Sequence, residues 1–519
     1  RAGAFCADAG AWGGAKGHKT LLRARASGAF WENGAREERA ASRSRKKPAG
    51  AQPRERGLFA LKRHQDTLRR VQEREQLFES APVRVAVAKQ VIPSVASQMV
   101  ALLYTSADTF FVGLLGAPAQ TAAVHVANPS FMFLTAISNL FGVGGASVIA
   151  RMLGRHEREK ASQVASFCFW GGAAASLLFS LLFFLLHVPI LSVCGATEDT
   201  FESARQYAFY VIVAGALPTV LSTLLSNLMR AEGRAGAASA GMIFGSLLNI
   251  ALDPLFVLPQ FLNMGAAGAG LATAISNLAS LLFFLLILRR ERETTVLRIG
   301  PRQLRFAGEH APAVLSIGFP SAVQYALTVV AIAAQSHFVS AYGSMATAAL
   351  SITKKIDNLP LYFSVGVSNG LLPLVGYNHA AGNDKRAWSM FRFGAALSLS
   401  FALFCTLCFE LFAPAITSVF IREAETAAMA AGFLRRMCVA MPFMSLCYPL
   451  IVRFQAMGEA KKALVVSVLR KGVLDIPLLF LYDSLWPMTG CRWGQPTGDC
   501  VSLLAALRLS RPREKTPQA

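Results

Sequence analysis

Three groups of polar residues stand in runs that are otherwise apolar. In "GSLLNIALDPLFVLP", residues 245–259, Asn249 and Asp253 lie four apart. Asp253 is the only ionisable group between Arg234 and Arg289. Asp108 sits in "ADTFFVGLLG", residues 107–116, and Thr273 in "GAAGAGLATAISN", residues 265–277. An ionised side chain in hydrocarbon is costly, so a carboxylate there is a functional candidate by default. Oxygen ligands suit a hard cation. Neighbouring carboxylates also raise each other's proton affinity. Asp108, Asn249, Asp253 and Thr273 therefore make a candidate site for Na⁺ or H⁺.

The third group is "ITKKIDNLP", residues 352–360, with Lys354, Lys355 and Asp357. Lys354 and Asp357 are spaced i, i+3 and can pair on one helix face. A structural ion pair and a substrate-facing or proton-linked role remain open alternatives for this cluster. Arg470 and Asp475 pose the same choice, with packing favoured. No catalytic constellation is evident, because the eight histidines are dispersed. Cys405 and Cys408 form a lone C-x-x-C, short of the roughly four ligands of a zinc site, and read as helix packing. We expect no enzyme and no cofactor beyond the bound cation.

Such residues need apolar helices to hold them. The chain has 519 residues, 54% hydrophobic and only 16% charged, against about 25% charged in soluble proteins. Many windows reach the roughly 20 apolar residues that cross a bilayer as a helix. The alternation of a transmembrane barrel is missing. The spacing predicts twelve helices, at 86–113, 121–150, 161–188, 205–229, 236–259, 266–289, 312–341, 348–376, 388–415, 428–453, 461–483 and 491–509. The last is the weakest, since "CRWGQPTGDC" carries polar groups.

The net charge of +21 is unevenly spread. Residues 1–70 hold 17 Lys and Arg against 6 Asp and Glu, with "RSRKKP" at 43–48. No nucleic-acid-binding motif accompanies the charge. This basic leader has no signal-peptide core, and we expect it to be disordered or upstream of a native start near Val71. "EREQLFESAPV", residues 73–83, reads as a short amphipathic lead-in. Loops after the even-numbered helices hold eighteen Lys and Arg, and loops after the odd-numbered ones hold two, Arg205 and Arg422. The positive-inside rule then puts both termini in the cytoplasm.

The chain repeats itself. "IPSVASQMVALLYTSADTFFVGLLG" at 92–116 matches "FPSAVQYALTVVAIAAQSHFVSAYG" at 319–343, an offset of 227. "LPTVLSTLLSNLMRAEGRAGAA" at 217–238 matches "MPFMSLCYPLIVRFQAMGEAKKA" at 441–463 with a one-residue slip. The fold class is thus an all-α polytopic membrane protein, with two six-helix lobes related by a parallel repeat. The lobes are 71–289 and 312–509, joined by a cytoplasmic linker at 290–311 and followed by a tail at 510–519. Asp108 aligns with Gln335, and Asn249 and Asp253 with Leu474 and Leu478. At about 1.5 Å per residue, Asp108, Asp253 and Thr273 fall at similar depth in the outer half.

The chain resembles the multidrug and toxic compound extrusion (MATE) family, in its DinF-like branch, over residues 75 to 510. The resemblance is carried by "ADTFFVGLLG", "GVGGASVIARMLG" at 142–154, "MRAEGRAGAA" at 229–238, "NIALDPLF" at 249–256, "GAAGAGLATAISN", "LPLVGYNHAAGNDKRA" at 372–387 and "FQAMGEAKKA" at 454–463. It implies export of amphipathic, often cationic compounds against Na⁺ or H⁺, by alternating access in a bacterial inner membrane. It implies a coupling-cation site at Asp108, Asn249, Asp253 and Thr273. The expected partners are small molecules and the lipid bilayer, not nucleic acid, and the expected state is a monomer. The alternative is a flippase for a lipid or lipid-linked sugar on a similar scaffold. A channel would need a filter or charged ring, and none is evident.

Overall fold

The computed structural model describes residues 71–300, 308–421, 423–486 and 493–511, together with Gln65, Arg69 and Gln303. The basic leader, Arg422 and most of the tail lie outside the described residues, as does part of the linker. The first lobe comprises α1 (Val83–Gly113), α2 (Pro118–Gly154) and α3 (Arg158–Val193), then a broken α4, α5 (Ala235–Val257) and α6 (Gly265–Arg290). The second comprises α7 (Ala311–Ser340), α8 (Ser344–Ala380) and α9 (Asp384–Phe420), then α10, α11 and α12 (Gly494–Ser510). Among the described residues nine helices are long and apolar enough to cross a membrane, and the bent α4 makes ten. Helices serve here because hydrocarbon leaves each backbone N–H and C=O to find its partner within the segment.

The interruptions were not visible in hydropathy. Helix α4 runs Glu198–Ala208, loosens into a π-turn at Phe209–Ala214 and resumes at Ala216–Ala231, with a 52° bend between its two arms. The sequence reading began this helix at residue 205. It actually starts earlier, in the charged segment "EDTFESAR", because Thr197 and Thr200 cap it reciprocally. Helix α10 contains a 3₁₀ turn, Cys438–Ala440, between Ala424–Met437 and Met441–Ala456. Helix α11 contains a second π-turn, Leu469–Leu474, between Ala460–Val468 and Asp475–Leu485. Such bulges are frequent at functional sites, and both π-turns lie in helices that flank polar clusters.

The even-numbered helices end together at a basic end of the bundle. There the lobes are joined directly. Gly144 of α2 lies against the Val314 carbonyl of α7, and Gly318 lies against the Leu140 carbonyl. Neither position has room for a Cβ, so two glycines let the backbones touch. Ser147 Oγ of α2 donates to the Gln455 carbonyl of α10 (2.6 Å).

Residues 71–79 form a helix that touches both lobes at this end. Toward the first lobe, Arg74 reaches Glu291 (3.1 Å) and Glu232 (3.4 Å), and Glu75 pairs with Arg158 (3.0 Å). Toward the second, Phe78 stacks on Tyr377 at 4.9 Å between ring centroids. The Tyr377 hydroxyl donates to Glu79 (2.7 Å). The Phe78 carbonyl accepts from Asn378 Nδ2 (3.2 Å) and Arg386 Nε (2.9 Å). The amphipathic lead-in is thus a strap, apolar at Phe78 and charged on either side.

Candidate functional site

Asp253 is fully buried on α5, and Asn249, one turn earlier, is also buried. A spacing of four puts both on one face. Asn249 Nδ2 lies 3.4 Å from Asp253 Oδ1 and 3.4 Å from Thr273 Oγ1 of α6. Helix α1 packs on α5 and brings Asp108 within electrostatic reach of Asp253. Asn249, Asp253 and Thr273 therefore meet directly, and Asp108 lies within electrostatic reach of them. Three of their oxygens, Asp108 Oδ1, Asp253 Oδ2 and Asn249 Oδ1, are buried without a hydrogen-bond donor. Leaving such a group unpaired costs about 1–3 kcal/mol, more when it is charged. Acceptor oxygens with no donor suit a hard cation or a proton on a carboxylate.

Two tyrosines join this site that sequence reasoning missed. Tyr207 of α4 and Tyr104 of α1 each lie within electrostatic reach of both carboxylates. Tyr104 precedes Asp108 by four residues, so a helical repeat could have flagged it. Tyr207 comes from a distant segment and carried no sequence signal. Tyr104 also neighbours Tyr362 of α8, which leads toward the second lobe.

The second cluster differs from the simple pair expected. Lys354 Nζ donates to Gln495 Oε1 of α12 (2.7 Å), and Gln495 Nε2 donates to Asp357 Oδ2 (3.3 Å). An amide thus separates the lysine from the aspartate, because α12 inserts its side chain where i, i+3 geometry alone would place a direct contact. Lys355 is exposed and faces away, within electrostatic reach of His125 on α2. It does not belong to the cluster. Around the amide, Lys471 pairs with Asp475 (2.8 Å) and buried Arg470 with buried Asp499 (2.6 Å). Arg470 and Asp475, for which the sequence favours packing, each form an ion pair with a different partner. Arg470 binds α12 and also covers the Tyr448 ring at 4.6 Å.

Two like-oriented six-helix lobes, joined at one end and carrying buried ionisable groups within their helices, define a membrane transporter of the two-lobe type. The MatE family model matches residues 93–255 and 320–481, one match in each lobe. The chain belongs to the MatE family. The multidrug export protein MepA of Staphylococcus aureus (strain MSSA476) is 26% identical over 435 residues, covering 83% of this chain and 95% of that protein. MepA of Staphylococcus saprophyticus is also 26% identical over 435 residues, with 83% and 95% covered. Among solved structures, an outward-facing multidrug resistance MATE transporter of the MOP superfamily superposes with a TM-score of 0.76. It is 24% identical and covers 84% of this chain and 96% of that one. A MOP superfamily transporter from Pyrococcus furiosus gives 0.75 at 24% identity with the same coverage. The Vibrio cholerae MATE transporter VcmN gives 0.74 at 21%, covering 81% and 94%. These likenesses extend over both lobes and establish the twelve-helix fold.

Proposed function

We propose that the protein exports amphipathic, often cationic small molecules in exchange for Na⁺ or H⁺. The observation that carries this reading is the set of three donorless buried oxygens on Asp108, Asn249 and Asp253, beside Thr273. The names of the relatives, multidrug export proteins, support export of drugs over movement of a lipid-linked sugar. Positive-inside bias supports a cytoplasmic location for the basic end. The lobe contacts at that end support a cycle in which the lobes part alternately at this end and at the other.

The proposed mechanism is competition. With both carboxylates ionised, the first-lobe site takes a cation from outside. The bound cation draws α1, α5 and α6 together and lowers affinity for a cationic drug in the same lobe. A coupling of about 1–3 kcal/mol, typical of linked sites, suffices for antiport. Pro254 follows Asp253 within α5 and removes one N–H from the ladder, which eases local bending. Ethidium binding to the purified protein tests this. Added Na⁺ or acid should weaken binding to the wild type and leave Asp253→Asn unmoved. Equal weakening in both proteins would remove Asp253 from the mechanism.

A further inference from the structure

Helix α1 carries a polar stripe inward from the cation site. Asp108, Tyr104, Ser97, Ser94 and Gln90 are spaced by three, four or seven residues and so share one face. Ser97, Ser94 and Gln90 are buried, and both side-chain polar atoms of Gln90 lack a partner among the described residues. Arg230, at the basic end of α4, closes on this stripe. It is 4% exposed. Its Nη2 donates to Ser97 Oγ (3.3 Å) and its Nη1 to Asn227 Oδ1 (3.1 Å), while Nε has no acceptor among the described residues. Ser97 precedes Asp108 by eleven residues. The guanidinium therefore lies about 16 Å inward of that carboxylate along α1.

That charge is uncompensated. Both acceptors are neutral, and no carboxylate acts on Arg230 among the described residues. Glu232, two residues on, is turned to Arg74, Arg234 and Thr295. The scaffold does not demand a charge here. After the one-residue slip of the repeat, "RAEG" at 230–233 matches "QAMG" at 455–458, and the two glycines share a positive φ, 84° and 82°. Gln455 is thus the counterpart of Arg230, and its Nε2 makes the equivalent bond, to Ser321 Oγ of α7 (2.8 Å). A neutral amide serves in the lobe whose first helix has Gln335 in place of Asp108. The lobe that holds the carboxylates has a buried guanidinium beneath them. An arginine fixed on a polar path is an electrostatic barrier to cations and protons. We propose that Arg230 is such a barrier. It keeps a cation taken up at Asp108 and Asp253 from passing along the α1 stripe to the basic end without exchange for drug. The proposal rests on the cation reading of the first-lobe site.

The test is uncoupled leak. Phosphatidylcholine vesicles would carry the full chain and a trapped sodium dye or pyranine, with a Na⁺ or H⁺ gradient imposed and no drug present. The wild type and Arg230→Lys should stay tight. Arg230→Gln, which copies the second lobe, should admit one of the two cations about tenfold faster or more, the factor that ~1.4 kcal/mol off a barrier produces. Asn227→Asp should leak alike, because a carboxylate at 3.1 Å neutralises the guanidinium without removing it. This second variant decides the matter even if Arg230→Gln fails to insert. Adding Asp253→Asn to Asn227→Asp should seal the vesicles again. A leak that survives that addition would keep the barrier and take Asp253 off the path, so it would count against the cation-site reading alone. A leaky wild type, Asn227→Asp as tight as the wild type, or Arg230→Lys as leaky as Arg230→Gln would overturn the proposal.

Discussion

Lys471 and Asp475 stand one turn apart on α11 and pair at 2.8 Å, as Asn249 and Asp253 stand one turn apart on α5. The two lobes thus present the same spacing at matching helices with different charge. Replacing Lys471 by Met leaves Asp475 part-buried without its cation, while its Oδ1 already lacks a donor. We expect lower thermal stability in detergent, and recovery when Asp475→Asn is added. A melting temperature unchanged by the single substitution would show that the pair contributes nothing to the lobe.

The Arg470–Asp499 pair is more deeply buried, with side chains 2% and 1% exposed. Removing one partner of a buried pair costs about 3–5 kcal/mol, whereas replacing both by apolar residues is often neutral. Arg470→Met should therefore destabilise strongly, and Arg470→Met with Asp499→Leu should restore much of the loss. Thermal unfolding of both variants decides this. A double variant as unstable as the single one would mean the pair specifies how α11 and α12 dock.

Gly144 and Gly318 lie where the lobes touch at the basic end. A leucine at either position meets a backbone carbonyl of the other lobe. Gly144→Leu should insert into membranes yet lose efflux, because the basic end can no longer close. Wild-type efflux from that variant would show that the contact is dispensable.

Arg386 holds the strap through the carbonyls of Phe78 and Ala81. Arg386→Ala removes both bonds. At about 1.5–3 kcal/mol for each bond to a charged group, the closed basic end should lose population. Spin labels at Glu159 and Lys385 would report this as a distance distribution shifted to longer values. An unchanged distribution would make the strap a passive cover.

The helices were legible because hydrocarbon imposes long apolar runs, and the charged loops marked their ends. Asp108 and Asp253 were legible because each is an isolated carboxylate in such a run. Their convergence with Asn249 and Thr273 followed from topology and rise per residue. Tyr207 was not legible, since it reaches the site only through the fold of α4 and its π-turn. Gln495 was not legible either. It is an ordinary polar residue near the start of the weakest helix, and only docking of α12 puts its amide between Lys354 and Asp357. The sequence alignment set Leu474 and Leu478 against Asn249 and Asp253, two residues short of the offset that pairs Asp108 with Gln335. Helix α11 contains a π-turn at Leu469–Leu474, so a constant offset cannot follow its polar face.

The central claim is that Asp253 belongs to the cation site that drives export. Its most direct test is ethidium efflux from inverted or reconstituted vesicles, with Na⁺ and H⁺ gradients imposed separately. The wild type should expel ethidium under at least one gradient. Asp253→Asn, inserted to the same level, should lose efflux by about tenfold or more, as loss of ~1.4 kcal/mol or more of coupling requires. Wild-type efflux from Asp253→Asn under the driving gradient would contradict the account.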